Sequence, residues 1–151
     1  MQITIRNLQS KVRVNIKDLK EIVARALKIE GKDQAEVSIL LVDNATIKDL
    51  NRRYKGLNRA TDVLAFSQQE GESGFLKINS NLLGDVVVSI NKALTQSRKY
   101  KQSFKKELYL YIIHGCLHLL GYDDINPLSR KRMEKKQKEI LRKIELEGLC
   151  G

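Results

Sequence analysis

The chain has 151 residues, room for one domain around a single buried core but cramped for two. Hydrophobic residues make up 42% and charged residues 30%, the balance of a folded, water-soluble protein. Lys plus Arg number 28 against 18 Asp plus Glu, a formal charge of +10, which favours a polyanionic partner: nucleic acid first, an anionic membrane surface second.

The opening stretch, MQITIRNLQSKVRVNIKDLK, holds no uninterrupted apolar run suited to a signal peptide, and no later segment reaches transmembrane length. A cytoplasmic protein without membrane contact is expected. Cys116 and Cys150 are too few for a disulfide framework and are not spaced as a metal-binding pair, so reduced thiols are expected.

Residues 2–6, QITIR, alternate as a half-buried strand does. A helix follows, with Asn15 as cap and Ile16, Leu19, Ile22, Val23, Ala26 and Leu27 at helical spacing before Gly31. EVSILLVD, residues 36–43, is too apolar for a sheet edge and predicts a central strand. A short helix from about Thr46 to Tyr54 ends at Gly56. TDVLAF, residues 61–66, is the third strand, a polar loop through Gly71 and Gly74 follows, and LGDVVVSI, residues 83–90, is the fourth. The rest is helical: near 91–100, from about Ser103 to Leu120, and from Pro127 to Glu147, the last opened by Asn126 as cap with the proline at the first position.

The second of these late helices is apolar in every direction, with Leu108, Leu110, Ile112, Ile113, Leu117, Leu119 and Leu120 spread around it, which predicts burial against both sheet and helices. It carries the only two histidines, His114 and His118, in HGCLHLLGYDD. Four residues apart on a helix, their imidazoles project about 40° from one another, one turn apart, the geometry of a two-point metal clamp. Cys116 lies on the far face and is expected to be a core thiol. Gly121 ends the helix and turns the chain back, bringing Asp123 and Asp124 near the histidine face.

The spacing HxxxHxxGxxD is also that of metzincin peptidases, but the glutamate that serves as their general base is here Gly115. A peptidase of that kind is disfavoured. The bland alternative, two hydrogen-bonded core histidines followed by acids that greet the next helix dipole, is outweighed by the burial of the pair and the Gly-x-x-Asp tail. Asp124 fits the third-ligand spacing and Asp123 is the substitute. Three protein ligands leave a position for water, acidified into a hydrolytic nucleophile. A carboxylate in the set makes the site more hospitable to harder ions such as manganese.

Cations gather at Arg52, Arg53, Lys55 and Arg59 before the third strand, at Arg98, Lys99, Lys101, Lys105 and Lys106 before the histidine helix, and along Arg130–Lys143. The last group alternates with Ile140, Leu141 and Ile144 as the solvated face of an amphipathic helix. The first two sit at loops and helix starts, where phosphates are within reach, and Arg59 is a candidate substrate contact. Five tyrosines, three phenylalanines and no tryptophan do not indicate extensive base stacking.

HGCLHLLGYDD resembles the histidine helix HGxLHLxGYDH of the YbeY family, ribosomal RNA maturation factors described as single-strand-specific, metal-dependent endoribonucleases. RYKGLNRATDVLAF resembles that family's YRxxxxPTDVLSF, and LLGDVVVSI its LGDIVI strand, so the likeness runs in order through about residues 36–125. The third histidine of the family is here Asp124, and its phosphate-contacting arginine falls on Lys55, which keeps the charge but loses the two-pronged fork. Ala60 and Ala65 stand for a proline and a serine.

The fold expected is α+β: a mixed four-stranded sheet packed with helices, the histidine-bearing helix buried at the centre, and residues 1–151 forming one metal-dependent hydrolase domain. The resemblance implies that His114, His118 and Asp124 hold one Zn2+ ion, or Mn2+ or another divalent metal given the aspartate. It also implies that Lys55 stabilises phosphoryl charge, and that single-stranded RNA, specifically the 3′ end of small-subunit rRNA on the ribosome, is the substrate. Asp62 and Asp85, acids near strand ends, are expected in turn and hydrogen-bonding roles. The competing reading is a ribosome-associated RNA-binding protein whose metal is structural.

Overall fold

The computed structural model of the chain describes residues 1–68 and 81–148. The elements run β1 (Gln2–Asn7), α1 (Ile16–Ile29), β2 (Glu36–Val42), α2 (Asn44–Lys55), β3 (Val63–Ser67), β4 (Leu82–Ser89), α3 (Ile90–Lys99), α4 (Phe104–Leu119) and α5 (Pro127–Leu146). The polar loop expected through Gly71 and Gly74, and Cys150, lie outside the described residues.

The four strands form one sheet in the order β1-β2-β4-β3. β2 is parallel to both β1 and β4, while β3 runs antiparallel to β4 and forms an edge. The sheet is therefore mixed and the fold α+β, as the sequence leads one to expect. The apolar runs of β2 and β4 follow from their central places, where both faces are covered. Alternation along β4 divides the core: Val86 and Val88 join the main cluster under α4, and Val87 joins Val42, Ile47 and Leu64 in a smaller one.

Helix α4 is the pivot of the packing. It touches β3, β4, α1, α3 and α5, and Leu108, Tyr109, Ile112, Ile113, Cys116, Leu117 and Leu119 are all buried. Burial pushes the Cys116 thiol up to about 12, so it is an inert core group, as expected from its place on the far side of the helix. The helix comes unusually close to the sheet at Gly115. A Cβ there would lie 2.4 Å from Val86 Cγ1 and 3.1 Å from Val63 Cγ1.

The ends of the helices are set by short polar residues. Asn15 accepts a hydrogen bond from the Asp18 amide (3.2 Å), and Ser103 one from the Lys106 amide (3.1 Å). Asn126 and Ser129 form a reciprocal capping box ahead of α5, with Pro127 in the first turn. α2 starts at Asn44, before the expected Thr46, because Asp43 accepts from the Thr46 amide at 2.8 Å. That hydrogen bond holds the Asp43 carboxyl below its ordinary range.

Replacing Gly115 by alanine is expected to destabilise the protein. With a Cβ 2.4 Å from Val86 Cγ1, the overpacking cost falls in the upper part of its usual range, about 2–3 kcal/mol, and the helix propensity gained returns only about 1 kcal/mol. A calorimetric Tm lowered by roughly 2–8 °C is the expected result. An unchanged or raised Tm shows that the helix does not sit this close to the sheet.

Candidate metal centre and groove

The last turn of α4 closes with the Tyr122 amide donating to the Leu117 carbonyl (3.0 Å) and the Gly121 amide to that of His118 (3.1 Å). This pair of bonds needs a residue in the left-handed region, and Gly121 supplies it at φ +100°. The nearby Glu30 carboxylate, at the end of α1, acts as a hydrogen-bond acceptor that, ahead of burial, raises the Tyr122 phenol pKa. The chain then doubles back over the histidine face.

His114 and His118 stand one turn apart, ring centroids 4.7 Å from each other and planes at 77°, with their Nε2 atoms 3.2 Å apart. Asp124 joins them: one ligand-type atom from each of the three residues lies within 4.8 Å of the others. Two imidazole nitrogens and a carboxylate oxygen form a donor set that suits a divalent first-row metal. Burial first, and the neighbouring His114 second, hold His118 below its ordinary value against the opposing pull of Asp124. The shift favours the neutral ring, the form able to ligate a metal.

Asp123 has other duties. Its carboxyl is held below the ordinary range first by a hydrogen bond with Ser129 and then by one from the Ile125 amide, so it shapes the approach to α5. Gln137 on α5 is a participant that nothing in the sequence spacing reveals. Its Oε1 lies 2.9 Å from His114 Nδ1, which fixes the proton on Nδ1 and leaves Nε2 facing His118.

A groove of about 450 Å³ runs from Lys55 and Arg59, along β3, to His118 and Asp123. A second cleft of about 660 Å³, reaching Lys32 and Gln34, meets it at Ser67, His118 and Gly121. Lys55 Nζ sits 5.2 Å from the centroid of the Phe66 ring, close enough for a cation–π contact. Buried Asn51 donates to the Arg59 carbonyl (3.0 Å) and fixes the loop that presents it. Neither Lys55 nor Arg59 is ion-paired with a described residue, whereas Arg52 and Arg53 both bond Asp49, and Lys105 and Lys106 pair with Asp18 and Glu145.

The two other acids considered from sequence lie apart from the histidines. Asp62 accepts from the Val63 amide (2.8 Å) and the Thr61 hydroxyl (3.3 Å) at the start of β3. Asp85 alternates with Val86 and so lies on the face of the sheet opposite α4.

These features define an α+β protein with a candidate three-donor metal centre on its core helix, opening into a groove that carries cations. The family model described as Endoribonuclease YbeY matches residues 4–145, and the chain belongs to that family. Proteins called Endoribonuclease YbeY from Pelotomaculum thermopropionicum and Clostridioides difficile are 42% and 38% identical to it, covering 97% of this chain and 99% and 98% of their own lengths. The solution structure of TM1509 from Thermotoga maritima, 31% identical, matches with a TM-score of 0.68 over 97% of this chain and 91% of that one.

Exchanging Gln137 for alanine is expected to weaken Zn2+ binding by the His/His/Asp group about 10–100-fold, the usual effect of losing a hydrogen bond that orients a ligand. Calorimetric titration of both proteins measures it. Equal affinities show that Gln137 does not orient His114.

Proposed function

We propose that this protein is a metal-dependent endoribonuclease that cuts single-stranded RNA in the cytoplasm and acts on the ribosome in maturing the 3′ end of small-subunit rRNA and in ribosome quality control. The observation that carries this reading is the meeting of His114, His118 and Asp124, with His118 bordering both the groove and the second cleft. Such a site accepts the interior of a chain, the requirement for endonucleolytic cutting. The RNA assignment rests on the family's name and on the cations of the groove.

His114 and His118 offer Nε2 and Asp124 a carboxylate oxygen to one divalent ion, Zn2+ or, given the carboxylate, Mn2+. When bound, the ion supplies Lewis acidity toward a phosphoryl oxygen and acidifies water at neutral pH. Gln137 keeps the His114 proton on Nδ1. Lys55, steadied over Phe66, offsets the negative charge growing on the phosphoryl oxygens, and Arg59 holds a phosphate further along the strand.

The test is the metal content of the wild type beside His118→Ala and Asp124→Ala, with cleavage of a single-stranded RNA by the same preparations. Near-equimolar metal in the wild type is expected. Its loss from both variants should come with a fall in cleavage larger than the roughly 10–100-fold that removing a supporting residue costs. A wild type without metal that cuts as well as both variants overturns the proposal. Chelation separates this reading from a structural metal: an enzyme stops cutting but keeps its thermal transition, whereas a structural site loses it.

Lys55→Ala should lower kcat by about 10²-fold or more, the scale on which a single charge-stabilising donor acts. Lys55→Arg is expected to retain activity, because the guanidinium keeps the charge and adds a fork for phosphate. If Lys55→Ala leaves kcat unchanged, the residue has no part in the chemical step.

A further inference from the structure

We infer that the free edge of β3 reads a nucleobase of the substrate, with the Val63 carbonyl as acceptor and the Ala65 amide as donor. The inference rests on the reading of the groove as the place where RNA is cut, and it assigns a base-reading role to the backbone.

The orientation of these groups follows from the β3–β4 ladder. The register pairs Val63 with Val88 and Ser67 with Gly84. Just outside it, the Ser89 amide donates to the Asp62 carbonyl (2.9 Å) and the Gln68 amide to the Leu83 carbonyl (2.9 Å). In an antiparallel ladder the bonded pairs alternate, so Asp62, Leu64, Phe66 and Gln68 direct their amides and carbonyls toward β4. Val63, Ala65 and Ser67 therefore direct theirs to the open side. Among the described residues β3 is the last strand of the sheet, and its outer side faces the groove lined by Val63, Ala65, Lys55, Arg59 and His118.

Not every outward group is available. The Val63 amide is already taken by the Asp62 carboxylate at 2.8 Å. The Val63 carbonyl and the Ala65 amide have no partner among the described residues and form an acceptor–donor couple on one side of an extended strand. The methyl group of Ala65 leaves that couple accessible.

A carbonyl beside an amide repels an anionic phosphate, which is better served by Lys55 and Arg59. It matches a neutral, planar partner that presents a donor next to an acceptor, as the Watson–Crick edge of an unpaired nucleobase does. An extended peptide would need a longer run of open groups, and the Asp62 carboxylate interrupts that run where a peptide strand would pair with Val63. The cations of the groove also favour the polyanion. A base held at this edge lies between the phosphate-binding cations and the His/His/Asp group, so the couple positions the strand for cutting.

Ala65→Pro tests this directly, because it removes an amide that points away from the sheet and spares every ladder bond, the one setting in which strands tolerate proline. With unchanged Tm, KM for a single-stranded RNA should rise about three- to tenfold, the effect of one neutral hydrogen bond, while kcat stays near the wild-type value. The rise should vanish for an RNA carrying an abasic nucleotide at the position that normally meets the edge. In the metal-loaded wild type, amide exchange at Ala65 should slow when an uncut 2′-O-methyl oligoribonucleotide binds. This second measurement decides the matter if Ala65→Pro does not fold.

If the wild type cuts RNA but Ala65→Pro shows the same KM, or the Ala65 amide gains no protection, the inference fails and the proposed function stands. Protection by an extended peptide and not by the oligonucleotide overturns it in favour of a protein partner. If the wild type cuts no RNA, the proposed function itself fails.

Discussion

The close approach of α4 to the sheet at Gly115 is the constraint from which the site follows. With Val86 Cγ1 at 2.4 Å from where a Cβ would sit, only a hydrogen atom fits between helix and sheet. The helix is thereby drawn down until His114 and His118, on an adjacent arc, stand level with the edge strand. The same contact explains why the residue after the first histidine is no general base. Its side-chain direction is spent on Val86 and Val63, so a carboxylate there would enter the core and not the groove.

Charge is organised locally even though the whole chain is strongly basic. Arg52, Arg53, Lys105 and Lys106 are engaged with Asp49, Asp18 and Glu145, and exposed pairs of this kind contribute little to stability. Their consequence is distribution: near the groove, Lys55 and Arg59 remain unpaired with described residues. The histidines obey a different rule. Partial burial, and then the nearby His114, lower the pKa of His118, which favours the uncharged ring that a metal ion needs as a ligand.

Much of this was legible in the sequence because it is encoded by period. Alternating and continuous apolar runs located all four described strands, and the all-round apolar pattern of α4 identified the central helix. The i, i+4 histidines and the Gly121 turn placed Asp124 beside them. The differences sit where one polar contact moves an end: Asp43 caps α2 at Asn44, and the Asp62 carboxylate on the Val63 amide delays β3 to Val63. Gln137 and Asn51 were invisible for another reason. Each works through a single tertiary hydrogen bond, to His114 across 23 positions of chain and to the Arg59 carbonyl across eight, and no periodicity records such a bond.

The same logic accounts for the place of β3. An edge strand is normally a hazard, because its unpaired amides and carbonyls invite another strand. Here Asp62 blocks the first outward amide, and the strand is only five residues long, which discourages sheet extension. Covering the edge completely would remove the hazard more thoroughly, but a further strand beside β3 would fill the groove between Lys55 and His118. An antiparallel edge at the end of an otherwise parallel sheet meets both demands, keeping one side of β3 bonded to β4 while its other side stays open beside the His/His/Asp group.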